Sequence, residues 1–511
     1  MRRIPFHVPL VSIYPVIALL GANILEVQPV VAIRPALISM AGAAMMLGLL
    51  RLITRDWLRA GLIATFLLLL FFSYGHLYEY LQANPVFGIT LGRHRYLTPF
   101  YAVMAVSGIA LIFRIRDRHP ITGILNVVSI GLLMFPIYQL VTFSASARPA
   151  GDGSLELPET QALTRPTGST LPDVYYIVLD TYMRSDAMRE RFNYDNQPFM
   201  DDLRSQGFYV AECARSNYSY TLASITSAIN MTYLPTMEDT LAAHGIHDQD
   251  IWILLKNNRV RNSLEDIGYS TVAFQTTYAW SEMTDADLYM NPEQPPLGTL
   301  SMTPFESMLL DTTAAVIISD ARVQQMTKNV DLSTSQYAYH VETIRYTLRE
   351  LPEVANVEGN KFVFAHILVP HMPYIFNEDG TLQTDPGFYS NKSRPIDDTY
   401  ESEGYVDAVK FINRELSSVV KKILANSDTP PIIVIHGDHG RNGDNRLKIL
   451  EAVYLPDGYE KLYPSITPVN LFRIIFNEYF GASYSLLPDI SYLRTKEGFE
   501  VVPENAPECL P

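Results

Sequence analysis

Apolar positions are spread along this chain in two different ways. Up to about residue 142 they form long unbroken runs, at roughly 8–25, 35–53, 58–76, 97–113 and 121–142. A stretch such as Leu62-Ile63-Ala64-Thr65-Phe66-Leu67-Leu68-Leu69-Leu70-Phe71-Phe72 has no polar face, which excludes a soluble amphipathic helix. Several runs reach the ~20 residues that cross a bilayer, the first and fourth only marginally, and they predict about five transmembrane helices within 1–142. Further along, short apolar segments alternate with helical periodicity. Asp173 to Asp180, Gly207 to Ala211, Thr271 to Gln275, Lys361 to Leu368, Ile432 to Ile435 and Ala452 to Leu455 read as strands. Between Ser402 and Ala425, the residues Tyr405, Val409, Ile412, Leu416, Val419 and Ile423 recur at spacings of three and four, the apolar face of a helix. That alternation predicts an α/β domain over 173–511, a doubly wound, mostly parallel sheet. The Thr-, Ser-, Ala-, Pro- and Gly-rich stretch 143–172 reads as a flexible linker.

Charge sharpens this division. Residues 1–150 hold twelve arginines, no lysine and four acids, a balance of +8, so the other 361 residues carry −23 of the overall −15. So acidic a body lacks the clustered Lys and Arg that neutralise phosphates, which excludes nucleic acid as a partner. With a cytoplasmic amino terminus, five spans leave eight arginines inside (2, 3, 51, 55, 59, 114, 116 and 118) and three outside (34, 93 and 95). That satisfies the positive-inside rule and puts everything after residue 142 on the outer face. No small-residue cleavage site follows the Met1-Arg2-Arg3 start, although Ala145-Ser146-Ala147 has the small-x-small form of one. Cys213 and Cys509 permit one disulfide but no cysteine-rich scaffold. Of three glycosylation-like sequons, at Asn217, Asn230 and Asn391, the first two fall where a glycan would block the chemistry below and read as chance.

That chemistry centres on Ile432-Ile433-Val434-Ile435-His436-Gly437-Asp438-His439-Gly440. An apolar, β-branched run fits a strand buried on both faces, and it stops in a glycine-flanked carboxylate and imidazole. Ligands of open α/β sheets sit at the strands' carboxyl ends, and an oxygen beside a nitrogen donor suits a divalent metal. Asp180 ends another such strand. Ser216 to Ser227 leads from a polar loop into a helix, where the Thr221 hydroxyl is either an N-cap or a nucleophile activated by a metal on Asp180, Asp438 and His439. Ser219 is a rival nucleophile. His366 and His371, near the end of the strand from Lys361, are candidates to contact a phosphate oxygen or to protonate a leaving group.

Tyr176-Ile177-Val178-Leu179-Asp180, the Thr221 helix start, His371-Met372-Pro373-Tyr374 and Gly437-Asp438-His439-Gly440 together resemble the alkaline phosphatase-like (sulfatase-like) superfamily. The order of the motifs and the leading spans look like its membrane-anchored phosphoethanolamine and phosphoglycerol transferases. The resemblance implies a one-metal site of Asp180, Thr221, Asp438 and His439, holding zinc or manganese, with His371 and His366 in catalysis. It further implies a bacterial cytoplasmic-membrane enzyme, multi-pass and with its catalytic domain on the periplasmic side. Such an enzyme passes a group from a phospholipid donor through phospho-threonine to an envelope glycan or lipid acceptor. Two features depart from the pattern: Asp180 stands where those transferases usually have Glu, and no histidine follows His439. A hydrolase of phosphate or sulfate esters shares the same residues, though a sulfatase's Cys/Ser-x-Pro-x-Arg is missing near Thr221. A non-enzymatic surface protein that keeps the fold is the third reading, and the intact ligand set speaks against it.

Overall fold

A computed structural model describes residues 4–24, 26–85, 87, 89–146, 159–165, 171–237, 251–292, 303–318, 337–385, 388, 398–441, 443–495 and 498–502. The chain divides into two compact units, Met1–Gly151 with Pro295–Tyr339, and Asp152–Gln294 with His340–Pro511. In this division Pro295–Tyr339, which lies inside the 173–511 stretch expected as one outer domain, groups with the amino-terminal unit.

The first unit holds the five expected helices: α1 (His7–Ala22), α2 (Ile33–Thr54), α3 (Trp57–Ala83), α4 (His94–Arg114) and α5 (His119–Ser146). The last four are long and apolar enough to cross a membrane, whereas α1 is shorter. It ends early because Asn23 turns its side-chain amide back onto the Leu19 carbonyl, 2.8 Å away. Arginines cluster where α2 meets α3 and α4 meets α5. Arg118 pairs with Asp56 at 3.0 Å, and the Arg59 guanidinium lies 4.9 Å from the Phe113 ring centre. At the other end, the Pro304–Asp311 helix begins in a full Thr303–Glu306 capping box, and Glu306 pairs with Arg34.

A seven-stranded sheet organises the second unit. Its strands are β1 (Val174–Leu179), β2 (Tyr209–Val210), β3 (Ser270–Phe274), β4 (Leu288–Met290), β5 (Lys361–Ile367), β6 (Ile432–Gly437) and β7 (Glu451–Tyr454), in the order β2-β7-β6-β1-β5-β3-β4. Only β7 runs against its neighbours, β6 and β2; the remaining pairs are parallel. Every residue of β1, β5 and β6 is buried, as their apolar runs require of central parallel strands. Register sets the site. Val178 pairs with both His366 and His436, and Leu179 with Ile367 and Gly437, so Asp180 and Asp438 leave the sheet side by side. The Pro468–Tyr479 helix packs Phe472 and Phe476 into the core beneath Tyr176. The sequence reading left two features out: the short edge strand β4 and a carboxyl-terminal hairpin of β8 (Ser491–Thr495) and β9 (Gly498–Val502). Part of the expected linker is also engaged. Residues 143–146 continue α5, and Thr164 donates its N–H to the Phe480 carbonyl at 2.9 Å.

Candidate metal and nucleophile site

Two glycines make the β6 turn what it is, and neither has a positive φ. Their role is close approach. A Cβ on Gly437 would collide with the Tyr182 carbonyl oxygen, and one on Gly440 with that of Asn445. Between them Asp438 Oδ1 accepts the N–H groups of Thr181 and His439, both at 2.8 Å. Its Oδ2 is buried and has no hydrogen-bond partner, and the same holds for Oδ1 of Asp180. Ligand atoms of Asp180, Asp438 and His439 all lie within 4.8 Å of one another. Two dehydrated carboxylates turned toward one point repel each other unless a cation lies between them. These orphaned oxygens and the neighbouring imidazole therefore fit a divalent ion.

The histidine is prepared for that role. His439 Nδ1 donates to the Gly440 carbonyl at 2.7 Å, which leaves the lone pair of Nε2 facing the site. Nε2 lies 3.2 Å from Thr221 Oγ1 and 3.6 Å from Asp438 Oδ2.

Thr221 is not an N-cap. Tyr220 takes that position in extended conformation, no side chain caps the helix, and Thr221 is the first residue of Thr221–Asn230. Its hydroxyl thus stands in the field of a helix amino terminus, where negative charge is favoured. The rival Ser219 is buried, and its carbonyl accepts from Arg446 Nε at 2.5 Å. Ser216 Oγ bonds both to the Asp438 carbonyl, at 2.5 Å, and to Ser224 Oγ, at 2.8 Å, and so ties the nucleophile's helix to the ligand loop.

The remaining candidates surround Asp180. His366 Nε2 is 3.4 Å from Asp180 Oδ2, deep in the sheet edge. His371 follows β5 on a loop and donates Nδ1–H to the Met372 carbonyl at 2.5 Å, which fixes the ring with Nε2 free of that bond. Burial pushes the Asp180 carboxyl up, but the His371, His366 and His439 rings outweigh it and hold it well below the usual carboxylate range. Both early sequons are explained too. Asn217 and Asn230 are fully buried, with their amides donating to the carbonyls of Ile490 and of Thr226 and Leu254. Asn391 lies outside the described residues. Cys213 is disulfide-bonded, and Cys509, the other cysteine of the chain, also lies outside them.

Two contributors escaped the sequence reading. His340, on the Ala338–Glu350 helix, is held down at about 4 by burial and then by the charge of His371, against Asp180's opposing pull. It is neutral at pH 7. As pH falls the unfolded chain protonates first, near 6.5, so stability is lost between there and about 4. His340→Gln should flatten this part of the pH dependence, read as unfolding midpoints at pH 7 and 5. The second is Tyr405, legible only as part of a helix's apolar face. Its hydroxyl donates to the Thr181 carbonyl at 2.9 Å and accepts the Met183 N–H at 3.0 Å. It thereby holds Thr181 at its left-handed φ of 62°, immediately after Asp180. Tyr405→Phe orphans both buried backbone groups, at about 1–3 kcal/mol. The expected result is a lower unfolding midpoint and weaker metal retention in equilibrium dialysis.

No family model matches the chain, and no curated protein does. Among solved structures, the chain is similar to the carboxyl-terminal periplasmic domain of EptC from Escherichia coli. Identity there is 15% over 67% of this chain and 96% of that one, with a TM-score of 0.39. The same domain was also solved as a zinc complex. The integral membrane lipooligosaccharide phosphoethanolamine transferase A of Neisseria meningitidis is 12% identical, covering 94% of this chain and 92% of that, with a TM-score of 0.36. An alkaline phosphatase superfamily protein from Vibrio parahaemolyticus is 10% identical, covering 70% and 81%, with a TM-score of 0.40. These names belong to the groups that the four motifs resemble; with identities and TM-scores this low, function has to be argued from the geometry of the site.

Proposed function

We propose that this chain is a membrane-anchored, metal-dependent phosphotransferase. It moves a phosphoethanolamine- or phosphoglycerol-type group from a phospholipid to an envelope glycan or lipid on the outer side of a bacterial cytoplasmic membrane. One observation carries the reading: the Thr221 hydroxyl, at a helix amino terminus, lies 3.2 Å from the free nitrogen of a histidine that shares a 4.8 Å cluster with two buried carboxylates. Asp180, Asp438, His439 and Thr221 Oγ1 would hold one ion, zinc or manganese. When bound, it supplies a lowered pKa for the hydroxyl and charge stabilisation for the phosphoryl oxygens.

The side chains account for the rest. Thr221 enters as the alkoxide, and its oxygen forms a bond to phosphorus while the bond from phosphorus to the lipid alcohol breaks. His371, entering protonated, gives its proton to the departing lipid oxygen. In the second half, neutral His371 takes the proton of the acceptor hydroxyl, whose oxygen bonds to phosphorus as Thr221 leaves as alkoxide again. Protons and charges balance over the cycle. His366, against Asp180, positions that carboxylate. Membrane anchoring keeps the enzyme in the plane of its donor, which raises effective concentration without a new contact.

Intact mass of the full chain in phospholipid nanodiscs tests this. Incubation with zinc or manganese should add the mass of one phosphoethanolamine or phosphoglycerol unit at Thr221, lost again on adding acceptor. Ester turnover without any adduct and without transfer would overturn it in favour of a hydrolase.

A further inference from the structure

Between α1 and α3 lies a cavity of about 390 Å³, to whose lining Thr312 also contributes. We propose that this groove holds one acyl chain of a glycerophospholipid, with the lipid phosphate at His76. The inference rests on the reading above, in that it identifies the first unit as the part that binds the lipid donor.

Depth is the first argument. His7 Nδ1 and Thr65 Oγ1 are 2.6 Å apart, which sets the level of α1 against α3. Val11 then stands beside Leu69, and Ala18 beside His76, all four lining the groove. Nineteen residues separate Trp57 from His76, about 28 Å of helix, nearly the full ~30 Å hydrocarbon core. The part of the groove below that level, from Val11 to Ala18, rises about 10 Å, within one leaflet's ~15 Å.

Polarity agrees with depth. Below the level of His76 the walls are apolar, with Val11, Pro15, Leu69 and Phe72, while Ser73, His76 and Thr312 line the groove above them. The His76 imidazole offers a donor to a phosphate, whereas the Ser73 hydroxyl is engaged with the Leu70 carbonyl at 3.3 Å and the Tyr101 hydroxyl at 3.2 Å.

The upper end is also built rather than incidental. Gly75 donates to the Thr312 carbonyl at 3.1 Å, and the Phe71 carbonyl accepts from the Ala314 N–H at 2.8 Å, so the 312–314 backbone docks directly on α3. Only glycine permits that approach, since a Cβ at 75 would overlap the Asp311 carbonyl and the Thr312 backbone. The docking holds Thr312 against the groove.

The test uses the full chain in nanodiscs containing phosphatidylethanolamine with a photoreactive diazirine on one acyl chain, followed by peptide mapping. Peptides from Val11–Ala22 and Leu69–His76 should take about tenfold more label than equally exposed stretches of α2 and α4, the ratio expected for a site favoured by one decade in affinity. Ala18→Trp, and separately Leu69→Trp on the facing helix, should reduce that label to the level of α2. Thr221→Ala should leave it unchanged, which separates this outcome from failure of the phosphotransferase reading. Label spread evenly over all lipid-facing helices, or persisting in both tryptophan variants, would overturn the proposal.

Discussion

Thr221→Ala is expected to lower phosphotransfer by roughly 10⁴–10⁶-fold, the range seen when a covalent nucleophile is removed and binding remains. The adduct should vanish with it. Thr221→Ser keeps the oxygen at the helix terminus and loses only a methyl group, so activity within about tenfold of wild type is expected, a loss of at most ~1.4 kcal/mol in the barrier. Ser219→Ala is the decisive companion. Ser219 is buried in the segment just before the helix, whereas the hydroxyl 3.2 Å from His439 Nε2 belongs to Thr221. Near wild-type turnover in Ser219→Ala with loss in Thr221→Ala is the predicted pair. The reverse pair would transfer the nucleophile's role to Ser219.

Metal removal should have the second-largest effect. Saturation at about 100 times the dissociation constant stabilises the bound state by about 2.7 kcal/mol, which for a unit of this size is roughly 4 °C in midpoint. A chelator should therefore lower the second unit's unfolding transition by that amount. The two orphaned carboxylate oxygens, Asp180 Oδ1 and Asp438 Oδ2, explain the direction. Asp438→Asn removes one of the two facing charges. An amide oxygen still accepts from Thr181 and His439, so the turn should persist. The expected results are metal content near zero by mass spectrometry and a midpoint that no longer responds to the chelator. A wild-type protein with no stoichiometric metal and no chelator response would overturn the assignment of this site.

The parts legible in sequence were those whose signal is local. β1 and β6 are continuous β-branched and aromatic runs, and each hands its polar residue straight to the sheet edge, so Asp180, Asp438 and His439 could be placed from pattern alone. The membrane helices were legible for the same reason. What failed was tertiary. His340 sits near the start of a helix, between Tyr339 and Val341, and nothing in its neighbours announces His371. Tyr405 looked like core because a tyrosine ring is mostly apolar; its role lies in one hydroxyl aimed at a distant turn. The β8–β9 hairpin carries exposed Leu493 and Val501 among charged residues, too weak an alternation to stand out. Thr221 was read with the N-cap alternative open, and only the extended Tyr220 before it closes that alternative.

The hydrogen bond from Thr181 to Asp438 joins residues 257 apart in the chain. At roughly 5–20 residues per second, about 13–50 s of synthesis separates the two halves of the site. During that interval the β1 edge exists without β6, and Asp180 lacks both Asp438 and His439, the other two members of the cluster. On the one-metal reading, a nascent chain is therefore expected to load its ion only late, once the last parallel strand slots in beside the first.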